Sequence, residues 1–142
     1  MDRDRVVARV DRLPGYIQEL RNTVPGTLEE YQSGVERRAW ERLLQLAIEA
    51  STDICGMLVA GLQLGLPEDE DDVYGRLERA GVLRGETTQL LMRMRGLRSI
   101  LAHEYVDIDD AIVFEAASER LGDLDGFVGG VKRCLREHWP AD

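Results

Sequence analysis

Apolar residues recur along this chain at helical spacing, and no stretch alternates convincingly with a period of two, so the pattern predicts an all-α fold. The first helix reads over residues 3–21, with Pro14-Gly15 marking a kink or break. Asn22 to Gly26 forms a turn around Pro25, and Thr27-Leu28-Glu29-Glu30 is a capping-box start. A long second helix then runs over about 28–64, bent near Ser33-Gly34. Its stripe of Trp40, Leu43, Leu44, Ala47, Ile48, Ile54, Cys55, Leu58, Val59 and Leu62 leaves Arg42, Gln45, Glu49 and Asp53 on the other side. Trp40 sits mid-stripe and reads as core, not as a platform for stacking bases.

Gly65-Leu66-Pro67 ends that helix, and the acidic run Glu68-Asp69-Glu70-Asp71-Asp72 reads as a solvated loop and helix N-terminus, favoured by the helix dipole. A short helix around 71–80 stops at Gly81. Another begins near Glu86 and reaches about Ala102, with Leu90, Leu91, Met94, Leu97, Ile100 and Leu101 as its apolar face. Asp107 to Asp110 caps a last helix, about 110–137, with Ile112, Val113, Ala116, Leu121, Leu124, Phe127, Val128, Val131 and Leu135 inward. Gly126, Gly129 and Gly130 weaken it and predict a bend or fraying. Five helices with short links predict an antiparallel bundle, and 142 residues suit one domain over 1–142.

Charge narrows the function. The net charge of −9 argues against a general nucleic-acid coat protein. Yet residues 84–103 hold Arg84, Arg93, Arg95 and Arg98 against only Glu86, so a polyanion site should be local to that segment. No run of about 18 apolar residues spans a membrane. The opening Met1-Asp2-Arg3-Asp4-Arg5 has no signal-peptide character, so the cytoplasm is the expected compartment. Cys55 and Cys134 read as core residues, and with only His103 and His138 as histidines no zinc site is expected. Glycine-rich phosphate loops are absent, and no metal or other cofactor is implied.

The candidate chemistry lies in Arg98-Ser99-Ile100-Leu101-Ala102-His103-Glu104-Tyr105. An arginine can grip a phosphate with a fixed fork of donors, and a histidine can move a proton near neutral pH. Spacing alone is a poor signal, because Arg133 and His138 share it in a terminus expected to fray. Five residues of helix also rotate by about 140°, so Arg98 and His103 converge only if the helix loosens or a second subunit supplies one of them. The structural alternative pairs Arg98 with a carboxylate such as Glu49 or Asp53 and leaves His103 as a helix C-terminal cap.

The segment, with Val106-Asp107-Ile108-Asp109 after it, resembles the R-x4-H-x-Y motif of HepT-type HEPN toxins. Glu41 to Ala50 with Asp53-Ile54 resembles that family's central helix, and Leu77 to Leu83 its short helix and turn, so the likeness covers roughly 28–130. The resemblance implies an HEPN-like helical homodimer acting as a metal-independent endoribonuclease toxin, with Arg98 and His103 catalytic at the dimer cleft. It implies an MntA-like minimal nucleotidyltransferase antitoxin as partner, with Tyr105 as the residue that accepts AMP. Ser99, where the family usually has asparagine, and Arg95 are expected to support the site. The competing expectation, from a different class, is a non-catalytic nucleotide- or partner-binding subunit of a nucleotidyltransferase complex.

Overall fold

The computed structural model describes residues 2–102 and 110–140. Seven helices and no strand occur among them: α1 Asp2–Thr23, α2 Leu28–Ser33, α3 Arg37–Gly61, α4 Glu70–Arg79, α5 Gly85–Ala102, α6 Asp110–Glu119 and α7 Leu121–His138. The all-α expectation holds, and five helices become seven because two long ones divide.

The first division falls at Gly34. The predicted 28–64 helix stops at Ser33, where Gly34 turns extended (φ −74°, ψ 135°) and its N–H bonds back to the Tyr31 carbonyl. A Cβ on Gly34 would lie 3.1 Å from the Trp40 ring, so the break lets Trp40 fold back and stack on Tyr31 with ring centroids 5.3 Å apart. Trp40 is core, as its place in the stripe predicts. The second division falls at Arg120, between α6 and α7, while Gly126, Gly129 and Gly130 continue inside α7 without a break. Val113 and Ala116 of α6 are buried as predicted, together with Ala117, whereas Ile112, also predicted inward, is about half exposed.

Pro14 and Gly15 do not interrupt α1. Both face solvent, while Val6, Val10, Leu13, Ile17 and Leu20 bury one continuous stripe. Burying each of these side chains contributes about 1.5–3 kcal/mol, enough to offset the cost of about 3 kcal/mol for a proline in a helix interior.

Helix α3 is the central element, packing on α1, α5 and α4. By length and composition it could cross a membrane, but half of that apolar window is buried in the core. Helix α1 is antiparallel to α3 and α7. Arg3 reaches the Trp139 carbonyl, Arg9 pairs with Asp53 at 2.6 Å, and Arg21 pairs with Asp125 at 2.7 Å. The Trp139 ring occupies the space where a Cβ of Gly61 would stand. The chain therefore continues as helix through His138 and docks at Trp139, where fraying was expected. Cys55 and Cys134 are both buried, as predicted.

Candidate active site

Arg98 lies in the last turns of α5, facing the N-terminal turn of α4 and the middle of α3. Asp69 caps α4 by accepting from the Asp72 N–H at 2.8 Å, which aims Glu70 and Asp71 at α5. Arg98 donates through Nη1 and Nη2 to the two Glu70 carboxylate oxygens, both at 2.8 Å. Nη1 also donates to Thr52 Oγ1 at 3.2 Å. The fork-to-fork geometry is the strong form of an arginine–carboxylate pair.

Thr52 Oγ1 donates in turn to the Ile48 carbonyl at 3.1 Å, and the Tyr74 hydroxyl donates to Glu70 Oε1 at 3.3 Å. Burial pushes the Tyr74 phenol up to about 12, so it remains a neutral donor. The hydrogen bonds that Arg98 donates to Glu70 raise its guanidinium further, and it stays cationic at any working pH. Three of its five N–H groups are thus engaged, and Nε–H and one Nη2–H have no partner among the described residues. The Arg98 side chain is 28% exposed, so those donors lie at the margin of solvent.

Arg95 sits one turn earlier and pairs with Asp71 at 3.1 Å, also approaching Glu70 at 3.7 Å. The acidic run is therefore not only a solvated loop: Glu70 and Asp71 hold the two arginines. A carboxylate does partner Arg98, but it is Glu70, since Asp53 is taken by Arg9 across the α1–α3 contact. Ser99 is exposed on the neighbouring face of α5. Thr52, Glu70 and Tyr74 were missed by sequence reading; the only signal for Glu70 was its place in an acidic run between two helices.

His103 and Tyr105, with Asp107 to Asp109 of the predicted cap, lie outside the described residues. Both flanks of that segment are held. Ahead of it Arg98 is fixed on Glu70, and behind it Asp110 opens α6 and pairs with Arg37 at 3.1 Å. Arg37 and Arg38 also face Glu41, a carboxylate that is 4% exposed although it lies outside the apolar stripe predicted for the central helix. Beside it, burial and then the Glu41 charge push the Tyr31 phenol up. The second Arg-x4-His pair is solvent-facing, with Arg133 and His138 both exposed on α7.

A family model described as Ribonuclease HepT-like matches residues 13–131. A tRNA nuclease HepT of Aphanizomenon flos-aquae is 31% identical over 131 residues, covering 92% of this chain and 89% of the relative. An mRNA nuclease HepT of Shewanella oneidensis is 29% identical over 89 residues, covering 63% of this chain and 67% of the relative. Among solved structures, a tri-AMPylated Shewanella oneidensis HEPN toxin in complex with MNT antitoxin has a TM-score of 0.80 at 22% identity, covering 90% of this chain and 96% of that one. At that identity the likeness speaks for the fold.

Proposed function

This chain belongs to the HepT-like ribonuclease family, and from that premise we propose that it is the toxin of a type VII-like toxin–antitoxin pair whose endoribonuclease cleft is built on Arg98 and His103. The observation that carries the reading is the family match over 13–131, which takes in the whole Arg98–Tyr105 segment. Its relatives of that name are nucleases of tRNA and of mRNA, and RNA is the substrate class assigned here. The cytoplasm, where such RNAs reside, is the proposed site of action, and the chain acts as one domain.

RNA carries its own nucleophile. Removing the proton of a 2′-hydroxyl lets that oxygen attack the adjacent phosphorus, and the bond to the 5′-oxygen breaks as that oxygen takes up a proton. The reaction needs a base, an acid and a cation for the phosphorane charge. The two spare donors of Arg98 suit the equatorial oxygens, with Glu70 and Thr52 holding the guanidinium in one orientation. His103, with an ordinary pKa of about 6.5, suits the proton transfers. One chain offers one histidine of this motif, so a two-fold dimer would bring a second copy for the opposite role. No metal takes part in this scheme.

The partner proposed is an MntA-like nucleotidyltransferase. Transfer of AMP from ATP to Tyr105 forms a phosphodiester at the phenolic oxygen and releases pyrophosphate. The added phosphate would bring an anion into the Arg98–Tyr105 segment, where it would compete with substrate phosphate for the arginine, by the rules that govern phosphorylation.

The test is cleavage of total RNA in the presence of EDTA by the unsubstituted chain, Arg98→Ala and His103→Ala, with circular dichroism to verify folding. Cleavage by the first and its loss, by about a hundredfold or more, in both variants is the expected result. No cleavage by any form, with tight binding of the nucleotidyltransferase, would instead establish a non-catalytic subunit.

A further inference from the structure

On the flank of the molecule away from Glu70, α5 and α7 enclose an open groove of about 600 Å³. Its lining includes Arg84 and Arg93 from the α4–α5 turn and α5, and Arg120, Arg133 and Arg136 from the start and end of α7. Only Glu86 and Asp123 oppose them. Arg120 is engaged with Glu115 at 3.2 Å and with Asp123 at 3.8 Å. The other four are exposed and have no carboxylate partner among the described residues. Elsewhere the arginines of this acidic chain are mostly paired: Arg9, Arg21, Arg37, Arg38, Arg76, Arg79, Arg95 and Arg98 all meet a carboxylate within 4.0 Å. Four such cations share this groove in a chain of net charge −9, whereas the second arginine-lined pocket, with Arg5 and Arg12, also holds Arg9 paired to Asp53.

The floor has a second property. Gly122, Gly126, Gly129 and Gly130 line it from α7. A Cβ at Gly122, Gly126 or Gly129 would meet nothing within 4 Å. Each glycine costs a helix interior about 0.8–1.0 kcal/mol relative to alanine, and at Gly122, Gly126 and Gly129 no packing among the described residues accounts for it. Bare backbone does admit close approach of a bulky ligand. The apolar residues of the lining, Val82, Leu83, Leu90 and Phe127, are all buried, so the groove presents no hydrophobic anchor of the kind that dominates protein–protein contacts. Guanidinium forks over a polar, backbone-floored trough match a phosphodiester chain.

We propose that the α5–α7 groove binds the ribose-phosphate backbone of the RNA substrate, outside the cleavage cleft. Gly122 to Arg136 spans about 21 Å of helix, long enough to follow several nucleotides. Arg93 lies about 7.5 Å along α5 from Arg98 and about 140° around it, so the groove holds RNA that flanks the scissile phosphate. This assignment rests on the ribonuclease reading for its choice of RNA, and the following experiment separates the two.

Fluorescence anisotropy of a labelled single-stranded RNA, and of bulk tRNA, is measured against Arg98→Ala protein with and without Arg133→Glu/Arg136→Glu. Arg5→Glu/Arg12→Glu, on the exposed side of α1, is the control for net charge. All positions are on helix surfaces, and circular dichroism verifies the folds. The groove variant should weaken binding by about tenfold or more and lower the salt slope by about one to two, while the control stays within about twofold. In the otherwise unsubstituted protein the same pair should raise KM for RNA cleavage and leave kcat unchanged. Equal RNA binding by groove and control variants overturns the proposal. So does a selective loss of nucleotidyltransferase binding with RNA affinity intact, which would make the groove a docking site for an acidic protein. Weakened RNA binding in a chain that cleaves no RNA would sustain the groove and remove the ribonuclease reading instead.

Discussion

Arg98 shows how little a motif residue does alone. Its charge is permanent, but its aim comes from Glu70 and Thr52, which fix three of its N–H groups. Glu70→Ala frees the guanidinium to rotate, and kcat/KM for RNA cleavage should fall by up to about a hundredfold, the cost of misplacing a reacting group by about 1 Å. Arg98→Lys should not rescue activity, because an ammonium cannot hold Glu70 and a phosphate in fixed directions together. Preserved activity in Glu70→Ala would mean that the carboxylate only occupies the phosphate site in the free protein. Tyr105→Phe should retain ribonuclease activity and escape transfer of AMP, which intact-mass measurement after incubation with the antitoxin and ATP would register. At this scale the sequence exposed Arg98 but not its keeper, since Glu70 is 28 positions away and reads locally as one acid among five.

The helices are legible as segments and less so as objects with ends. Apolar spacing predicted α4 and α5 to within about a residue, and a buried stripe like that of α1 outweighed its proline. Helix ends depend on neighbours. Gly61 closes α3 against Trp139, whose ring fills the space of a Cβ. Gly61→Ala should therefore destabilise the protein by about 1–3 kcal/mol despite alanine's better helix propensity, and urea denaturation would read it. In a Trp139→Ala background the same substitution should be neutral or stabilising, and additivity of the two changes would refute the contact. Asp72 fastens the start of α4: the Glu68 N–H at 2.9 Å, and then Arg76, hold its carboxyl below the usual range. A depressed carboxyl contributes stability above its unfolded pKa of about 3.9 and loses it as pH falls through the lower folded value. Asp72→Asn should accordingly be less stable than the parent near neutrality, with the gap closing below about pH 4 in acid titrations followed by circular dichroism.

For the whole molecule, the question is how an acidic chain handles a polyanion. Pairing most arginines with carboxylates confines free positive charge to a few places, so substrate contact is a property of the arrangement and not of the composition. The proposed two-histidine cleft also ties activity to assembly. The cleavage rate per chain should fall on dilution in parallel with dimer dissociation measured by analytical ultracentrifugation, and a monomer of full activity would remove the two-histidine scheme. Sequence by itself determined the all-helical class, the buried faces of the central helices, the burial of Cys55 and Cys134, and Arg98 as a candidate, because side-chain periodicity and residue chemistry are local properties. Only the tertiary structure decided that Glu70 and Thr52 grip Arg98, that Gly34 and Arg120 split the long helices, and that arginines 84, 93, 133 and 136 share one groove. Those outcomes join residues up to 52 positions apart, and such contacts are set by how helix faces pack, which no window along the chain contains.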